Sequence, residues 1–224
     1  MMKRLFVLFG LFFALTAQAF DPVLEKFIPL VDKQYFVLQY NPVIQATVWS
    51  IYRLNAGNLQ TAADRTNMSF RTDKKVSNPV RPSAYERSGN DMGHLVPARD
   101  MSFSLEALKR SMLTCNVLPQ PPPYNRGIWK KLEAKLRAEA SAGGDYVIIT
   151  GPVNPRVPPL APDGFFKIVY DLNNNTATAY MIPVNFTSDN LKDYITEIAI
   201  IRNLTGIDFK APEENKYERQ MRNN

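Results

Sequence analysis

The stretch Thr114–Gly144, TCNVLPQPPPYNRGIWKKLEAKLRAEASAGG, is where the chain changes from non-helical to helical, and the fold turns on it. Its first part, NVLPQPPPYN, cannot be helical: Pro119, Pro121, Pro122 and Pro123 lack amide donors, and their rings clash with a preceding helical turn. Its second part, from Arg126 onward, reads as a helix that Gly143 and Gly144 bring to an end. Downstream, DYVIITGPV (145–153) has the pattern of a buried strand, and GFFKIVYDLNNNTATAYMIPV (164–184) reads as two strands around an Asn-rich turn. TSDNLKDYITEIAIIRNLTGIDF (187–209) mixes helix and strand signals and leaves both open.

Upstream, SFSLEALKRSMLTC (102–115) spaces Leu105, Leu108, Met112 and Leu113 as a helix does, with a serine available to cap its start. Residues 55–88 are polar, contain Pro79 and Pro82, and read as one long irregular connection, a type of segment that often carries function. YFVLQYNPVIQATVWSIYRLN (35–55) is rich in β-branched and aromatic residues and is split by Asn41-Pro42, which predicts two antiparallel strands. FDPVLEKFIPLVDKQ (20–34) is expected to be a short helix or arm. No repeat or linker interrupts the chain. The expectation is one α+β domain over residues 20–210, built on a central antiparallel sheet flanked by helices, with a polar tail at 211–224.

Residues 1–19 stand apart. Lys3 and Arg4, an apolar run from Leu5 to Leu15 and the small-residue site Ala17-Gln18-Ala19 are the pattern of a secretory signal peptide, with an uncleaved anchor as the alternative. Export to the periplasm or medium follows, with no stable membrane association after cleavage. Losing Lys3 and Arg4 takes the net charge from +6 to +4, a mild excess compatible with an anionic partner. With 45% hydrophobic and 21% charged residues, disorder is not the default, and 224 residues suffice for a real core. Cys115 is the single cysteine, which excludes an intramolecular disulfide and a cysteine-based zinc site while leaving a hard, oxygen-loving cation open.

His94, the single histidine, lies in GNDMGHLVPARDM (89–101). A lone imidazole can act as general base toward water because its pKa is near neutral, but a difficult hydrolysis also needs help with developing negative charge. Asn125 and Glu133 are the best oxygen donors nearby. On a regular helix, eight residues separate them by roughly 12 Å, so both cannot contact one ion directly unless the helix start is distorted. The expectation is one direct ligand, Asn125, with Glu133 acting through water. Taken singly, each has an ordinary structural reading: Asn125 as a helix N-cap, Glu133 as a solvated helix residue, His94 as a structural histidine.

Together the two motifs resemble the DNA/RNA non-specific endonuclease family, the endonuclease G-like nucleases with a ββα-metal core. The family pattern runs Asp-Arg-Gly-His, Pro-Ala-x-Asp-Met, Ser-Asn-x-x-Pro-Gln, then Asn-x-Gly-x-Trp-x-x-Leu-Glu. It is matched here by Asp91, Gly93, His94, Pro97, Ala98, Asp100, Met101, Asn116, Pro119, Gln120, Asn125, Gly127, Trp129, Leu132 and Glu133. SIYRLN, YVIITGPV and TGIDF extend a weaker similarity over most of the chain.

The resemblance implies a ββα-metal finger carrying His94 as general base, Asn125 as direct ligand to one Mg2+ (or Mn2+), and Glu133 holding a bound water. It also implies that Asn116 is catalytic, orienting the site and contacting phosphate or metal-bound water, that Asp91 with Gly93 braces the loop, and that Arg65, Arg99 and Arg126 contact substrate. DNA and RNA would be cut to 5′-phosphate and 3′-hydroxyl ends without base readout, a metal-bound water protonating the departing oxygen. A homodimer is also compatible with the family. The departure is Met92, where the family has arginine. Arg65 and Arg71 are both candidates for another arginine of the family pattern, and spacing does not separate them. Met92 also keeps open a catalytically impaired nucleic-acid-binding protein of the same fold.

Overall fold

The computed structural model describes residues 30–60 and 63–209. The signal-like residues 1–19 and the tail 211–224 lie outside them. Seven antiparallel strands form one sheet in the order β1-β2-β3-β6-β7-β8-β9. These are β1 Leu30–Asp32, β2 Phe36–Asn41, β3 Ala46–Leu54, β6 Tyr146–Val153, β7 Gly164–Asp171, β8 Thr176–Pro183 and β9 Ile195–Thr196. A separate two-stranded ribbon joins β4 Asp91–His94 to β5 Val117–Gln120. The helices are α1 Leu105–Ser111, α2 Lys130–Ser141 and α3 Ile198–Thr205. The architecture is α+β, as expected, and no helix of the described residues is long and apolar enough to cross a membrane.

The two strands predicted around Asn41-Pro42 are β2 and β3. Asn41 Oδ1 accepts the Val43 amide at 2.9 Å and so closes the turn between them. The Asn-rich hairpin is β7–β8, paired from Gly164↔Pro183 to Asp171↔Thr176. Asp171 accepts the amides of Asn173 and Asn174 in its turn, and Asn175 takes the left-handed conformation at φ 51°. β3 skips the intervening hundred or so residues to pair with β6, Ser50 opposite Thr150.

Both faces of this sheet are covered, so the central strands read as nearly unbroken apolar runs rather than alternating ones. On one face Tyr52, Leu54, Ile148, Phe165 and Val169 pack on Trp129, Leu132 and Leu136. On the other, Ile51, Ile149, Phe166 and Ile168 pack on Ile201, Ile207 and Phe209. The ambiguous 187–209 segment thus uses both its signals: a short turn at Leu191–Tyr194, the edge strand β9, then α3, which Gly206 ends at φ 72°.

Two expectations are corrected. Residues 30–32 of the expected N-terminal helix or arm are the edge strand β1, because the apolar Leu30-Val31 pair completes the ladder beside Gln39 and Leu38. The second helix becomes regular at Lys130, not Arg126. Residues Tyr124–Trp129 form a wide, irregular turn in which Gly127 leaves helical dihedrals (φ −101°, ψ −108°), and Asn125 makes no capping bond with its side chain. The helix also starts earlier than expected: Pro122 and Pro123, in the stretch expected to exclude helix, already turn helically, because the first helical turn needs no amide donors.

Candidate active site

β4, β5 and the turn leading into α2 form a ββα unit resting on the sheet face that holds Trp129 and Leu132. β4 pairs antiparallel with β5, Asp91 opposite Gln120 and His94 opposite Val117. A Cβ at Gly93 would lie 2.1 Å from Gln120 Cδ, so only glycine lets the Gln120 side chain cross the ribbon there. Gln120 is fully buried, and neither its Oε1 nor its Nε2 has a partner among the described residues.

Asp91 ties the unit together. Its carboxylate accepts Asn125 Nδ2 at 2.9 Å and receives Arg126 Nε at 2.8 Å and Nη2 at 2.6 Å. The Arg126 guanidinium, and next the Asn125 amide, hold the Asp91 carboxyl below the usual carboxylate range against the opposing effect of burial. With its nitrogen committed to Asp91, Asn125 has Oδ1 as its free donor, a neutral oxygen of the kind that suits a hard divalent cation. β4 therefore lies directly against the turn that carries Asn125. His94 is three residues from Asp91 along the strand, roughly 10 Å at the rise of extended chain.

His94 is half buried, and its Nε2, itself a buried atom, has no hydrogen-bond partner among the described residues. The imidazole lies 5.0 Å, centroid to centroid, from the Phe70 ring, and Arg65 Cζ stands 5.8 Å from the centroid of that same ring. Burial, helped by the charge of Arg65, pushes the His94 pKa down to about 3, so the ring is neutral at physiological pH. Of the two arginines that spacing left undecided, Arg65 is the one beside the imidazole. Arg71 is held elsewhere, its backbone bonded to Met112 and Thr114. Met92 packs with Phe70 against Val80, Tyr85 and Val117, an apolar niche.

Asn116 is fully buried and spends its amide on the backbone. Oδ1 accepts Val96 N at 3.0 Å, while Nδ2 donates to Val96 O at 2.9 Å and Ser111 O at 3.0 Å. It pins the segment just after His94 and has no group turned to solvent. Arg99 is exposed, on the turn that buries Asp100. Arg126 is exposed but held in its bidentate pair with Asp91.

Glu133 lies in a buried charge network absent from the sequence reading. Arg137 Nη1 is 3.0 Å from Asp100 and 3.7 Å from Glu133, and Tyr52 donates to Asp100 at 3.0 Å. Near them Lys167 is fully buried, with Nζ 4.8 Å from the Trp129 ring centroid and no hydrogen-bond partner among the described residues. Burial pushes Glu133 up and Lys167 down, each opposed by the other's charge. Two signals for this network exist in sequence. Arg137 follows Glu133 by one helical turn, and Lys167 is a lone charge in the apolar run GFFKIVY. Gln120 stands in the family pattern without an assigned role, and Phe70 had no comparable signal.

Several known proteins resemble this chain. A nuclease from Nostoc sp. is 31% identical over 200 residues, which cover 80% of this chain and 72% of that protein. Human mitochondrial endonuclease G is 28% identical over 159 residues, 70% of this chain and 52% of its own length. The mitochondrial nuclease of Saccharomyces cerevisiae is 30% identical over 162 residues, 70% of this chain and 48% of its own. The chain thus spans about half the length of these mitochondrial relatives. A crystal structure of the EndoG/EndoGI complex shares the fold, with a TM-score of 0.72 at 19% identity over 80% of this chain and 84% of that one. The profile of the DNA/RNA non-specific endonucleases matches residues 24–216, and the chain belongs to that family.

Proposed function

We propose that this protein is an exported endonuclease that hydrolyses DNA and RNA without regard to sequence, leaving 5′-phosphate and 3′-hydroxyl ends. The observation that carries the reading is the Asp91–Asn125 hydrogen bond, which fixes a neutral oxygen donor beside the strand that bears a neutral histidine. Asn125 Oδ1, with Glu133 reaching through water, would hold a magnesium or manganese ion, and such an ion supplies positive charge to the phosphate under attack.

The chain's own residues do the rest. His94 Nε2, free of any protein partner, takes a proton from the attacking water. Phe70 holds the imidazole plane by ring contact, and Asn116 pins the backbone that follows it. Arg65 stands where its charge reaches both the imidazole and an approaching phosphate, which supports it as the cation that compensates for Met92. Arg99 and Arg126 are exposed, which supports them as contacts for the substrate backbone. None of these groups reads a base edge, in keeping with a nuclease indifferent to sequence.

The test is incubation of the protein lacking residues 1–19 with plasmid DNA and with RNA, in magnesium or in EDTA. Metal-dependent degradation of both supports the reading. DNA retarded but left intact favours the impaired, binding-only protein. His94→Ala is expected to abolish cleavage while preserving binding, and near wild-type cleavage by that variant rejects the mechanism. Export is checked by N-terminal sequencing of the product recovered outside the cytoplasm, expected to begin at Phe20.

A further inference from the structure

Phe70 belongs to two surfaces. Its ring meets the His94 imidazole, and it also lines an open groove of about 820 Å³ whose other walls include Arg71, Lys74, Lys75, Lys109 and Leu113. The groove contains two acids, and both are neutralised from within. Glu106 pairs with Arg110 at 2.7 Å, and Asp73 is buried against Lys33. Arg71, Lys74, Lys75 and Lys109 are exposed and enter no ion pair among the described residues.

The cations stand on a fixed frame. Asp73 accepts the Lys75 amide at 2.9 Å with Oδ1, while its Oδ2 receives Lys33 Nζ and, at 3.0 Å, Cys115 Sγ. Arg71 N donates to Met112 O at 3.0 Å and Thr114 N donates to Arg71 O at 2.9 Å, fastening the groove wall to the end of α1. The buried Lys33–Asp73–Cys115 cluster, which catalysis does not use, thereby holds the turn that displays Lys74 and Lys75.

We propose that this groove is a track for the phosphate backbone of the nucleic-acid strand that continues from the bond cleaved at His94. Arg71, Lys74, Lys75 and Lys109 are its phosphate contacts, and Phe70 is the wall it shares with the catalytic imidazole. The assignment rests on the nuclease reading above and extends it from one phosphodiester to its neighbours. A group of exposed cations beside the Phe70 ring fits a polymer with an anionic backbone and planar bases. Point charges of this kind position a strand without reading its sequence.

The experiment uses the triple variant Lys74→Gln, Lys75→Gln, Lys109→Gln, with its melting temperature confirming the fold. On a long single strand, KM is expected to rise about tenfold or more at physiological salt while kcat holds. The slope of log kcat/KM against log salt concentration should become shallower by about 2, roughly 0.7 for each lost contact. The loss should grow with strand length and be smallest for a dinucleotide. An unchanged salt slope, or an equal loss on the dinucleotide and the long strand, overturns the proposal. Binding of the strand to His94→Ala with and without the three lysine substitutions, read by fluorescence anisotropy, tests the track independently of cleavage. Wild-type protein that binds through these lysines yet cuts nothing rejects the nuclease reading alone.

Discussion

Replacing Asp91 with alanine removes the single acceptor that Asn125 Nδ2, Arg126 Nε and Arg126 Nη2 share at 2.9, 2.8 and 2.6 Å. The Asn125 bond is the one that matters for chemistry, because it decides which end of the amide faces outward. A hydrogen bond to a charged acceptor contributes about 1.5–3 kcal/mol, a bias of roughly tenfold to a hundredfold toward the rotamer that presents Oδ1. Losing the partner of a ligating side chain typically costs roughly 10–100-fold in metal affinity or activity, which agrees. Plasmid nicking by Asp91→Ala should therefore slow by about that factor and recover in part as magnesium is raised, since the ligand is misoriented rather than deleted. Stability should change little. The Arg126 side chain is 71% exposed, so solvent screens its ion pair and little stability rests on it. Arg126→Gln leaves the Asp91–Asn125 bond in place and should keep kcat, a lost substrate contact showing in KM instead. If Asp91→Ala nicks within about threefold of wild type, or Arg126→Gln lowers kcat equally, the amide-orienting role assigned to Asp91 is wrong.

Other expectations follow from the same geometry. Gly93→Ala drives a Cβ to within 2.1 Å of Gln120 Cδ and 2.3 Å of its Oε1 in a fully buried site. It should cost about 1–3 kcal/mol in urea unfolding, with most of that returned by adding Gln120→Ala; a single variant as stable as wild type contradicts this packing. Arg65→Gln should lower kcat/KM on DNA roughly tenfold, and Met92→Arg in that background should restore part of it. Unaltered kinetics in Arg65→Gln would mean the charge comes from another residue. His94, held near pKa 3 chiefly by burial and also by Arg65, titrates near 6.5 once unfolded. Its contribution is complete above about pH 6.5 and is lost as pH falls toward 3, amounting to about 1–2 kcal/mol lost by pH 5. His94→Gln should flatten that acid limb of urea stability, and curves of equal slope for both proteins between pH 7 and pH 4.5 would refute it.

Much of the architecture is legible in sequence because local constraints agree with the global fold. The Asn-rich 172–175 segment demands a turn and Gly143 terminates α2 at φ 108°, whereas Pro122 and Pro123, expected to exclude helix, open the first helical turn, where no amide donor is needed. Where local signals were weak or mixed, tertiary contacts decided. Leu30–Asp32 is a strand only because β2 offers an open ladder, and residues 187–209 divide between a sheet edge and a helix that covers the second face. Leu105, part of the expected apolar stripe, is 50% exposed, since the seven-residue α1 buries Ala107, Leu108 and Ser111 instead.

GNDMGHLVPARDM and YNRGIWKKLE by themselves supplied the candidate side chains of the site, because ordered motifs record residue identity and spacing. Partnership is a different quantity. Asp91 meets Asn125 and Arg126 across 34 and 35 residues of chain, and Lys167 reaches the Trp129 ring from another strand. The choice of Arg65 over Arg71 beside His94 depends on which way a loop folds over Phe70. No local propensity encodes such pairings. They are fixed only when burial of the sheet's apolar faces brings distant segments together, and with them the charges and amides that the site requires.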